Sequence, residues 1–188
     1  MSNYTVSCML NAGQYSALNT GAAYASSTTI TDVSPGGNTA GQAFTLPASY
    51  LQPGQWLRVR ARGIVSNTAT PNLTLGVYLG GVAGTPLCTT GAIATASSLS
   101  NNLWSLESDL RIVTVGTSGS MYAIGSVSGP YAAAAFMPAT SSSGNLVSSL
   151  NTSIANLITI GATWGANSSS NSLQVIDFQV IRDNEGSS

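Results

Sequence analysis

Glu107 and Asp109, two apart in the run WSLESDLRIVTV, are the side chains best placed to do chemistry in this chain. On an extended strand residues two apart share a face and stand ~6.5–7 Å from each other. That spacing neither excludes nor recommends the acid pair of a glycoside hydrolase. The other acids, Asp32, Asp177, Asp183 and Glu185, are scattered. Arg58, Arg60 and Arg62 supply three of the five basic residues, and they alternate with Leu57, Val59 and Ala61. Alternation of this kind is a strand signal, with the arginines on one face and the apolar residues on the other. The preferred reading is therefore structural. Glu107 and Asp109 pair with the Arg58, Arg60 and Arg62 face of a neighbouring strand, within or between subunits, as a salt network.

The chain has no histidine and no lysine. A Ser-His-Asp triad is impossible, and general-base work near neutral pH would need a carboxylate with a shifted pKa. No glycine stretch ends in the GK[ST] of a phosphate loop. No DxDxD spacing supports a calcium site. Cys8 and Cys88 stand far apart with no CxxC, so zinc is improbable, and two buried thiols is a better reading than one bridge. These points lead to an expectation of no catalytic residue, no cofactor and no metal.

Composition narrows the class further. The chain of 188 residues suits one domain with a sizeable core. Charged residues are 6% of it, against a usual ~25%. A net charge of −1 with no basic patch argues against nucleic acid. No run approaches the ~18 apolar residues needed to span a bilayer as a helix, and residues 1–10 lack the basic and apolar regions of a secretory signal. A surface of hydroxyls and amides with few charges suits a large permanent assembly, because little charge is desolvated when subunits pack.

The elements that must position these residues read as strands almost throughout. Residues 26–33 are β-branched. Residues 44–46 form a short strand closed by Pro47, which has no N–H for a ladder. Pro53-Gly54 marks a turn before the arginine strand at 57–65. Further strands fall at 72–79, 87–94 (weak), 101–115, 121–128, 154–164 and 171–182. Residues 146–150 are ambiguous, and 129–144 read as a long loop. The result is an all-β fold, an antiparallel β-sandwich of about eight strands. Residues 1–25 are expected to form an N-terminal arm, 26–183 the sandwich, and 184–188 a flexible tail.

Three further expectations concern surfaces. Trp56, Trp104 and Trp164 lie at strand ends and are expected to plug the ends of the core, with a sugar-stacking platform on an adhesin as the alternative. Tyr122, Tyr131 and Phe136 flank the long loop as candidate exposed contacts. In the last strand strict alternation puts Val175 on one face and Ile176, Phe178 and Val180 on the other. A strand apolar on both faces must be covered twice, by a neighbouring subunit or by the chain's own arm.

The order of these pieces resembles the small jelly-roll virion proteins of tailed bacteriophages. The residues that carry the resemblance are Leu46-Pro47-Ala48, Leu57 through Gly63, Pro71 through Gly81, Trp104 through Leu110, and Trp164 through Val180. It covers roughly residues 26–182, with Gln55 where that family often has aspartate. The order of the pieces is what is distinctive. The resemblance implies a jelly roll, a homotrimer and no enzyme activity. It implies a capsid decoration protein on the virion surface, made in the host cytoplasm and bound to the major capsid protein, with no nucleic-acid or membrane partner. A tail-fibre or tail-tip adhesin that binds a host-surface glycan or tail proteins is the alternative.

Overall fold

The computed structural model describes residues 8–9, 12–17, 24–25, 27–35, 44–131, 135–138 and 145–183, with the backbone alone at 8–9, 12–17, 135–138 and 183. The described chain is all-β, folded as two antiparallel sheets face to face. The large sheet runs in the order β1 (Cys8–Met9), β2 (Ala12–Ala17), β15 (Ser172–Asp183), β6 (Trp56–Ser66), β10 (Asn102–Thr114), β11 (Gly119–Ser128), β12 (Ala135–Pro138). To it are added β13 (Leu146–Leu150) on β11 and β3 (Tyr24–Ala25) on β15. The small sheet runs β4 (Thr31–Asp32), β14 (Asn156–Trp164), β7 (Asn72–Leu79), β8 (Thr85–Thr89). It also carries β5 (Phe44–Leu46) on β14 and β9 (Ile93–Ala94) on β7. The central strands nest as a jelly roll winds. β6 pairs with β15 in one sheet, and their sequence neighbours β7 and β14 pair in the other.

Side-chain alternation builds the core. Along β6 burial alternates at every residue from Leu57 to Val65. Leu57, Val59 and Ala61 meet Leu106, Leu110 and Ile112 of β10 in the same buried cluster as Leu73, Leu75 and Val77 of β7 and Ile158, Ile160 and Ala162 of β14. Each fully buried leucine or isoleucine contributes ~1.5–3 kcal/mol from removal of apolar surface. The turn that launches β6 is the one expected: Gln55 N donates to Gln52 O (3.2 Å), and Gly54 takes a φ of 85° that an L side chain resists.

Several expectations need correction. Val175, Phe178 and Val180 are all buried, on one face. The register of β15 against β6 passes from Val175↔Gly63 directly to Asp177↔Arg62, so Ile176 is an extra residue, a β-bulge that resets the alternation. Gly63 permits it, because a Cβ there would run into the carbonyl oxygen of Gln174. Of these four apolar residues only Ile176 is turned out, at 37% exposure, and the centre of β15 no longer demands a second cover. Trp104 and Trp164 are buried as expected of core plugs, but Trp56 is 38% exposed on the outer face of the large sheet. Described parts of the expected arm, β2 and β3, extend the large sheet by pairing along the edge of β15, whose backbone groups need partners. Residues 135–138 of the expected loop form a strand, and of the described residues 27–33 only Thr31–Asp32 is strand. The tail at 184–188 lies outside the described residues.

Candidate binding face

The outer face of the large sheet gathers most of the described charge. Rows of residues cross its strands in register. One row is Ile181, Arg58, Asp109 and Ile124; the next is Gln179, Arg60, Glu107 and Ser126. Toward one end of the sheet Trp56, Arg111 and Tyr122 stand opposite one another on β6, β10 and β11. Toward the other end Leu103 faces Ile64, next to the bulged Ile176.

The structure brings Arg58 and Asp109 together, Nε to Oδ1 at 2.7 Å, as a hydrogen-bonded ion pair. Arg60 Nε stands 3.1 Å from Glu107 Oε1, a Coulombic pair without the alignment of a hydrogen bond. Both pairs follow from register, since Arg58 and Arg60 lie directly opposite Asp109 and Glu107. Arg62 does not join them. It lies opposite Ser105 on one side and Asp177 on the other, and Asp177 Oδ2 is 4.0 Å away. Asp177 is thus a member of the ladder that sequence spacing missed. Its parity shows only once the bulge at Ile176 is known, although the uncharged Ser105 was a hint that Arg62 looks elsewhere.

Side chains in these pairs are 25–60% exposed, so each pair contributes at most about 1 kcal/mol to stability. Their importance is chemical. Glu107 and Asp109 lie on an open sheet face with Ile124, Gly125 and Ser126, around a shallow depression of about 210 Å³. Each already faces an arginine, and neither sits in a cleft that would exclude water from a reaction. This arrangement suits binding better than acid–base chemistry.

The aromatic residues divide differently from the sequence expectation. Tyr122 is 44% exposed, but on strand β11 rather than in a loop. Tyr131 is not an exposed contact. Its ring packs against the core, and its buried Oη has no hydrogen-bond partner among the described residues, so burial pushes its phenol well above the usual range. Phe136 lies on β12 opposite Ser126, and its side chain is outside the described residues. Arg111 was not foreseen as part of a site, and Trp56 only through the alternative of a sugar-stacking platform; the Arg111 guanidinium lies 5.7 Å from the Trp56 ring centroid, within cation–π reach.

The middle of the small sheet's outer face is closed, while Leu157 and Asn72 toward its ends are exposed. Gly76 and Gly161 lie opposite one another, and the Tyr78 ring crosses them with Ile30 alongside. Burial raises the Tyr78 phenol above its ordinary value, and the nearby Cys88 adds to the effect. Asp32, at the sheet edge, is also raised by burial, partly opposed by its hydrogen bond from Ser34 N (2.9 Å). Between the sheets Ser108 Oγ donates to Ile124 O (3.1 Å), so its single proton is committed and the Cys88 thiol donates to Ser108 Oγ (3.1 Å). Burial pushes that thiol up to about 11, so Cys88 is an inert free thiol. The Cys8 side chain lies outside the described residues. Among the described residues no three His, Cys, Asp or Glu side chains cluster closely enough to hold a metal.

No protein-family model matches the chain, and no curated protein sequence is similar to it. Solved structures with a similar outline include the CBM2 module of the evolved Dit of Lactobacillus casei BL23 phage J-1, with 11% identity and a TM-score of 0.30. That match covers 74% of this chain and 67% of the other. Lectin I from Ulex europaeus, solved with the methyl glycoside of α-L-fucose, has 9% identity and a TM-score of 0.33, covering 90% of this chain and 98% of the lectin. At these scores the likeness is one of general β-sandwich outline, and nothing about ligands follows from it.

Proposed function

We propose that this chain is a non-catalytic structural protein of a tailed-bacteriophage particle, a trimeric decoration protein bound to the outside of the head. The observation that carries this reading is the Leu103 end of the large sheet's outer face. Leu103 is 74% exposed, the most of any large apolar side chain described, and it sits opposite Ile64 of β6, with the exposed Ile176 on the strand beyond. Apolar side chains open to solvent on three successive strands of an ordered sheet suit a contact surface. Beside it the charges are already paired, so covering the face strips little unpaired charge of water.

The phage assignment rests on the order of sequence motifs. So does the trimer, since the bulge in β15 removes the argument that this strand needs a subunit to cover it. The lack of catalysis is supported by the arginine partners of Glu107 and Asp109 and by their open setting. Imaging intact particles made with and without the protein tests the role. The expected result is a regular outer layer of many copies at three-fold positions, and light scattering of the free protein at three times 19.0 kDa. A few copies confined to the tail would replace this reading with the adhesin, and a stable monomer in solution would remove the trimer.

A further inference from the structure

We propose that the Trp56 end of the same face is a binding site for a neutral saccharide, a function beyond attachment to the particle. Trp56, Arg111 and Tyr122 occupy matching positions on three adjacent strands, so the two aromatic residues stand roughly 9–10 Å apart across the sheet. Trp56 is 38% and Tyr122 44% exposed, and Arg111 stacks near the Trp56 ring to widen the platform. One row further along the strands lie Asp109 and Ile124, and then Glu107 and Ser126, around the depression of about 210 Å³.

This chemistry selects its ligand. Exposed rings offer flat apolar faces to the C–H side of a pyranose, and carboxylates accept protons from its hydroxyls. Asp109 and Glu107 meet their arginines through Oδ1 and Oε1, which fixes each group while a carboxylate has acceptor sites on both oxygens. The two charged residues lining the depression are carboxylates, each balanced by an arginine across the strand, so the depression itself offers no excess positive charge to a phosphate, sulfate or acidic sugar. A depression this shallow has no deep pocket to anchor a peptide side chain. Its volume suits one sugar ring, with the aromatic platform receiving the next residue of a linear chain. A small contact of this kind gives weak binding, with Kd at about the millimolar level.

The test titrates the whole protein, free of particles, with linear oligosaccharides of glucose, galactose, N-acetylglucosamine and rhamnose. Trp104 and Trp164 are buried, so Trp56 is the fluorescent reporter that a ligand on this face would reach. The expected result is a saturable change with at least one of these sugars. Saturation-transfer NMR should then show binding weakened at least about tenfold in Trp56→Ala and in Tyr122→Ala, and largely kept in Trp56→Phe. All three changes are at the surface, and an unchanged far-UV circular dichroism spectrum checks the fold. No saturable response to any of the sugars would overturn the proposal, as would alanine variants that bind like the parent or a preference for oligo-lysine over every sugar. Because no particle is involved, failure here leaves the decoration reading standing, and failure of decoration leaves this site standing.

Discussion

On the outside of the small sheet Gly76 faces Gly161, and the Tyr78 ring lies flat over the gap their missing side chains leave. On the outside of the large sheet Arg60 faces Glu107 and Arg58 faces Asp109, all of them partly open to solvent. Both faces are made by two-residue alternation on antiparallel strands, so fold alone does not distinguish them. What differs is what each outward position carries. Small residues let the chain close one face over itself, and paired charges flanked by exposed apolar residues keep the other open. A sandwich of this kind has a structural side and a contact side.

The comparison can be broken by substitution, most severely where backbone packs on backbone. Gly63→Ala places a methyl group against the Gln174 carbonyl and should cost about 3 kcal/mol by urea unfolding, since the β15 bulge must shift. Gly161→Ala should cost about 2 kcal/mol, because a Cβ there stands 2.5 Å from Tyr78 Cε2 and the buried ring must shift to admit it. Ser126→Ala, on the open face, should change stability by no more than about 0.5 kcal/mol. Equal costs at Gly161 and Ser126 would mean that the two faces are not packed differently.

Smaller changes sharpen the contrast. Thr159 Oγ1 is buried beneath the closed face without a hydrogen-bond partner among the described residues, so Thr159→Val should gain about 1 kcal/mol. Asp109→Asn on the open face should lose at most about 1 kcal/mol, and the loss should shrink in high salt. Asp32 gives the weakest and most pH-dependent effect. Burial raises its pKa in the fold above the ordinary 3.8, so its neutral form is favoured there. Below 3.8 it costs nothing, and as pH rises through the raised folded value its charge destabilises the fold. Asp32→Asn should therefore match the parent in acid and become the more stable of the two toward neutral pH, as read from Tm against pH.

The long strands and the ladder were legible because alternation is a local signal. Leu57, Val59 and Ala61 against Arg58, Arg60 and Arg62 announces a strand and its two faces before any contact is known. The partners of Arg58 and Arg60 follow once β6 and β10 are adjacent. The bulge at Ile176 was not legible, because it depends on Gly63 of another strand admitting the Gln174 carbonyl. That one extra residue hid the place of Asp177 and gave β15 a false second apolar face. The short edge strand β12 escaped for a related reason: it is held by the edge of β11 and carries no pattern of its own, while β4 is shorter than the strand read from its β-branched run. The platform of Trp56, Arg111 and Tyr122 comes from three strands meeting in register, which no spacing along the chain reveals.

The most direct test of a contact side and a structural side is binding to particles that lack the protein. Leu103→Glu and Thr163→Glu put the same charge on opposite outer faces, at positions that are exposed and half-buried respectively. With both variants folded, Leu103→Glu should abolish the layer on the head, and Thr163→Glu should leave its occupancy unchanged. Full occupancy with Leu103→Glu, or loss with Thr163→Glu alone, would contradict the proposal that the Leu103 end of the large sheet's outer face is the part that docks.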